Sequence, residues 1–156
     1  MITIREFQDD LKNELEKLFK NFRLTGSDGK PAKFSIYKND TPMLMANDED
    51  ALAPYIVIRL DSGKHHEETG RGVQDIKVLI LICIFNDDEN YVGTDDVLIT
   101  IQRVIEEFTV NPTFNKYYRI GDVDWTVGDT ETFPYFFGGV ELTFAVPSYT
   151  REDDYC

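Results

Sequence analysis

The stretch Val73–Asn86, VQDIKVLILICIFN, places Ile76, Val78, Ile80, Ile82 and Ile84 at every second position. Side chains at that period line one face of an extended strand, and β-branched residues favour the pleated, half-buried surface such a strand presents. The intervening positions change from Asp75 and Lys77 to Leu79, Leu81, Cys83 and Phe85. The second half of the strand is therefore expected to be covered on both faces, by a helix or by a neighbouring subunit. A chain that carries this strand must build a sheet around it.

Two amphipathic helices are predicted to cover that sheet. Thr3 followed by Glu6 forms a capping box, with Ile2 and Phe7 as its hydrophobic staple. Ile4, Phe7, Leu11, Leu15, Leu18, Phe19 and Phe22 then recur at three- and four-residue steps, opposite Asp9, Asp10, Lys12, Asn13, Glu16 and Lys17. The second helix is expected to be capped by Thr94, with Asp95 and Asp96 at the positive end of its dipole and Asn111-Pro112 as its stop. Its apolar stripe is Val97, Leu98, Ile101, Val104, Ile105 and Phe108, and Thr100, Gln102, Arg103, Glu106 and Glu107 are placed on the wet side.

Further strands are read from Tyr55 to about Leu60, around Val123, Trp125 and Val127, and around Val140, Leu142, Phe144 and Val146. Between Thr25 and Pro54, turn residues dominate, and only Phe34, Ile36 and Tyr37 suggest a short strand. Together these elements predict an α+β fold: a mixed or mostly antiparallel sheet of four to five strands with two main helices packed against it. The domain is placed at residues 1–150, followed by a flexible acidic tail at 151–156.

With 29 acidic against 16 basic residues, the formal charge is −13, which argues against tight binding to nucleic acid or anionic membranes. No run of apolar residues approaches the ~20 needed to span a bilayer, and no basic-then-apolar leader opens the chain, so a cytosolic protein is expected. Cys83 is assigned to the core and Cys156 to a free tail thiol, which is no disulfide framework.

Tests for chemistry give no convergent set. His65-His66-Glu67-Glu68 is the one cluster with metal-ligand side chains, but neighbours on an extended chain point in opposite directions and the helical H-E-x-x-H spacing is missing. The segment Asp87–Asp96 fails as a calcium loop, because Ile99 falls where the bidentate glutamate is needed. Gly63-Lys64 and Gly70-Arg71-Gly72 lack a phosphate-loop setting, and without a histidine elsewhere a nucleophilic triad has no base. No catalytic, cofactor-binding or metal residue is assigned, and the chain is read as non-enzymatic. A metal-dependent enzyme centred on His65 and His66 is the alternative of a different class.

The segment Asp61–Gly72 is expected to be a long hairpin loop, against the usual ~2–5 residues, and so either a docking element or a solvated excursion. Its Lys64, His65, His66, Glu67, Glu68 and Arg71 are candidate partner contacts. To these we add Asp75 and Lys77 on the long strand, and Tyr117, Tyr118, Tyr135 and Phe136, expected to be exposed aromatics.

The runs PYIVIRLDSG (54–63), DIKVLILICIFND (75–87), YVGTDDVLITIQRVIEEF (91–108) and FPYFFGGVELTFAVP (133–147), in this order and spacing, resemble the tail-terminator (tail completion) proteins of long-tailed phages. The resemblance covers the C-terminal two thirds of the chain. It implies a structural subunit of a phage or prophage that forms a homo-oligomeric ring, a hexamer, on the head-proximal end of the tail tube. Such a ring stops tube polymerisation and meets the tail tube protein on one side and a head-completion or connector protein on the other. DNA would pass through it without specific binding, which the acid excess of the chain suits. The implied locations are the host cytoplasm during assembly and the virion tail, and no cofactor is implied. Another head-tail connector or a tail-tube component is the nearest alternative.

Overall fold

In the computed structural model, residues 3–25, 31–40, 54–66, 72–88, 90 and 92–148 are described. Helix α1 spans Ile4–Leu18 and is capped as its sequence predicts: the Glu6 amide donates to Thr3 Oγ1 at 3.0 Å. Phe7, Leu11, Leu15 and Phe19 are buried, whereas Ile4, counted in the apolar stripe, is exposed because it lies in the first turn. The Ile2 staple lies outside the described residues. Strands β1 (Arg23–Thr25) and β2 (Pro31–Lys33) form a small antiparallel pair of their own.

The main sheet contains β3 (Ser35–Lys38), β4 (Tyr55–His66), β5 (Gly72–Phe85), β6 (Thr113–Phe114), β7 (Tyr117–Val127) and β8 (Tyr135–Ser148). Its order is β3-β4-β5-β8-β7-β6, which is six strands rather than four or five. The sheet is mixed, because β3 pairs parallel with β4 while every other pair is antiparallel. The short strand suggested by Phe34, Ile36 and Tyr37 is thus real, and β6 is an addition too short for periodicity to reveal.

The alternation in β5 has the outcome that its pattern demands. Ile76, Val78, Ile80, Ile82 and Ile84 are all buried, facing α1 and the second helix, α2 (Gly93–Val110). Each such side chain taken from water contributes about 1.5–3 kcal/mol. On β8, Val140, Leu142 and Phe144 stand opposite Ile80, Val78 and Ile76, and Val146, opposite Gln74, is buried on the same face. Helix α1 crosses this face: Phe7 near its start meets Tyr117 edge-on at 4.9 Å and Phe144 at 5.5 Å, and Phe19 just past its end meets Phe34 at 5.0 Å. Arg103 of α2 reaches the Leu18 carbonyl at 3.3 Å and lies over Phe22 at 5.0 Å, tying the two helices together.

Three readings of the elements are corrected. Residues Asp61–His66 are no loop: β4 continues through them, with Ser62, Gly63, Lys64, His65 and His66 opposite Lys77, Ile76, Asp75, Gln74 and Val73, past a register shift at Asp61. The second helix starts at Gly93 and has no side-chain cap, so Thr94 lies inside its first turn instead of capping it. Thr100, placed on the wet side, is fully buried, and its hydroxyl donates to the Asp96 carbonyl at 2.8 Å. That bond satisfies a polar group that burial would otherwise penalise. The end of α2 at Asn111 is as read. The tail at 151–156 lies outside the described residues.

Candidate functional site

Both helices pack on one face of the main sheet, and among the described residues no helix or strand covers the other. Since directly opposed residues share a face, the register assigns that other face to Tyr37, Tyr55, Val57 and Arg59 on β3 and β4, and to Asp75, Lys77, Leu79, Leu81, Cys83 and Phe85 on β5. Tyr135, Phe137, Glu141 and Thr143 continue it on β8 and Tyr118 on β7.

This face divides into two halves. Around the end of β5 it is apolar and aromatic: Tyr37 meets Tyr55 at 6.3 Å, Phe85 meets Tyr135 at 5.5 Å, and Phe137 stands 40% exposed beside them. Val57 and Cys83 are buried at its centre. Burial pushes the Cys83 thiol up to about 12, against a hydrogen bond with Tyr55 that acts the other way. Such a thiol stays protonated and is no nucleophile. Toward the start of β5 the face is polar: Lys77 pairs with Glu141 at 3.0 Å and His66 Nε2 with Asp75 Oδ2 at 2.7 Å. Between the halves, Gly139 leaves a shallow hollow of about 160 Å³ bordered by Leu79, Leu81, Thr126 and Glu141.

The predicted contact residues fall in several places. Lys64, His66, Asp75, Lys77 and Tyr118 do lie together in the polar half of the helix-free face, and Tyr135 is on the same face but at its aromatic end. His65 points to the opposite face, where its ring nitrogen Nδ1 is 2.9 Å from Gln74 Nε2. The two histidines therefore do not converge, and among the described residues no three His, Cys, Asp or Glu side chains gather closely enough to hold a metal. Glu67, Glu68 and Arg71 lie outside the described residues.

Tyr117 and Phe136 are not exposed but buried, at 2% each. Tyr117 donates its hydroxyl to Asp10 at 2.6 Å, and Phe136 packs under Gly93. Each is the strand neighbour of a residue that does face out, Tyr118 and Tyr135, so the aromatic pairs straddle the sheet. Phe137 and Tyr55 were missed as candidates, although Phe137 follows Tyr135 at the two-residue step that puts both on one face.

Neither protein-family models nor curated protein sequences give a match to this chain. Among the described residues no helix is long and apolar enough to cross a membrane.

Proposed function

We propose that the protein is a non-enzymatic assembly subunit that meets its partners through the helix-free face of its sheet. Its place, on this reading, is a ring at the head-proximal end of a phage tail tube, where it stops tube growth and joins tail to head. The observation that carries the proposal is the row of aromatic and aliphatic side chains, Tyr55, Leu81, Phe85, Tyr135 and Phe137, left without a covering element among the described residues. Aromatic-rich apolar surface rimmed by polar pairs is the composition of protein contact sites. The resemblance to tail terminators, carried by four runs that include β5, α2 and β8, supplies the ring and the phage setting.

Native mass spectrometry together with electron microscopy of concentrated protein tests this reading. A closed ring of defined size, a hexamer, is expected, and Phe137→Asp should leave the fold intact by circular dichroism while abolishing binding to a tail-tube end. Long tubes in place of rings would identify a tube subunit, and a Phe137→Asp protein that still binds would remove the aromatic face from the interface.

A further inference from the structure

The two borders of the main sheet are stepped in opposite senses. On one border β3 pairs with β4 only at Tyr55–Ile58, so among the described residues the outer edge of Ser62–His66 has no strand against it. On the other, β6 pairs with β7 only at Tyr117–Tyr118, and the outer edge of Asp124–Val127 is likewise bare. The free part of β4 lies level with Val73–Lys77 of β5, whereas the free part of β7 lies beside Gly138–Glu141 of β8, level with Leu79–Ile82 of β5. Each border therefore offers a ledge where the other has a projecting strand.

From these ledges we infer that copies of this chain join edge to edge, the free half of β7 in one copy pairing antiparallel with the free half of β4 in the next. The strand directions allow it, because β4 and β7 run oppositely across the sheet. One register matches chemistry as well as shape: Asp124 opposite Lys64 and Thr126 opposite Ser62 on the helix-free face, with Trp125 opposite Gly63 on the other. Lys64 is exposed and has no ion pair among the described residues. Trp125 is 52% exposed on an edge strand, and a neighbouring glycine leaves room for its ring to lie across the joint.

Charges and irregularities on an edge commonly serve to prevent pairing, and both strands also carry a register shift, near Asp61 and near Asp122. Here the charges have opposite sign on the two borders. Pairing β7 to β7 opposes carboxylates and pairing β4 to β4 opposes cations, so the same charges that deter like pairs favour the unlike one. Such a contact is head-to-tail, and because each copy steps along the strand direction, it closes into a ring when the strands are tilted to the ring axis. The inference deepens the ring reading above, naming the interface between subunits.

The test is cysteine cross-linking of the full chain in a Cys156→Ser background, since Cys83 is buried. Lys64→Cys combined with Asp124→Cys should give an oxidation-dependent ladder of dimers, trimers and higher species, because opposed Cβ atoms lie about 4.5–5.5 Å apart. Neither single variant should do so, and Lys64→Cys with Val123→Cys, on the opposite face, should not either. Lys64→Asp or Asp124→Lys should each weaken association roughly tenfold or more, and the swapped double variant should recover it. A defined oligomer in native mass spectrometry that gives no ladder overturns edge pairing and leaves the assembly role standing. A ladder from open filaments supports the pairing and overturns the closed ring, and a monomer at every concentration with no ladder overturns both.

Discussion

A buried thiol and a buried phenol set how single residues respond to pH. Cys83 is pushed up to about 12 by burial, and burial with its bond to Asp10 moves Tyr117 in the same direction from its ordinary value near 10. Both groups hold in the folded state a proton that the unfolded chain releases earlier. Their contribution is complete below about pH 9, and is lost as pH rises from there toward 12. Urea denaturation followed between pH 8 and 11 should show stability falling above about pH 9, with a shallower fall in Cys83→Ala; equal slopes for the two proteins would refute the assignment. At this scale the sequence was legible only in part. The period-two argument identified the inward row of β5, but the aromatic pairs Tyr117-Tyr118 and Tyr135-Phe136 carry no apolar-polar contrast between neighbours. Only the strand's phase, set by its pairing partners, decides which member of each pair is buried.

The start of α2 shows how an element's boundary is decided by what it packs against. A methyl group on Gly93 would fall 2.2 Å from the Phe136 ring, so the first turn sits directly on that side chain. Thr94 had the right chemistry for a cap, but with Gly93 packed closely on Phe136 the helix starts two residues earlier, with Val92 in the cap position. In an unobstructed helix, Gly→Ala stabilises by about 0.5–1 kcal/mol. Here overpacking outweighs that gain, and Gly93→Ala is expected to lower stability by about 1–3 kcal/mol, read from the urea midpoint. An unchanged or raised midpoint would show that Phe136 can move aside. The second half of β4 was illegible for another reason: DSGKHH has neither alternation nor β-branched residues, and its strand geometry comes from pairing with β5. Helix α1 and strand β5 were readable because cap, period and burial all agree there.

At the scale of the whole molecule, a charge of −13 acts on any assembly of identical copies. The Debye length shrinks from ~30 Å at 0.01 M salt to ~8 Å at 0.15 M, so added salt relieves repulsion between subunits more than it weakens contacts formed at close range. Self-association measured by sedimentation should therefore strengthen over that range, and weakening would mean that a few exposed ion pairs dominate the interface. The architecture also fixes an order in time. Strand β8 lies in the middle of the sheet, between β5 and β7, yet it is the last strand of that sheet to leave the ribosome. Until it emerges, β5 has an open side and β7 has no long neighbour to join, so nascent chains must hold both uncombined for the seconds that synthesis takes. A subunit that adds strands to its own kind can thus form its β4 border early, but its β7 border has no long strand to rest on until the central seam has closed.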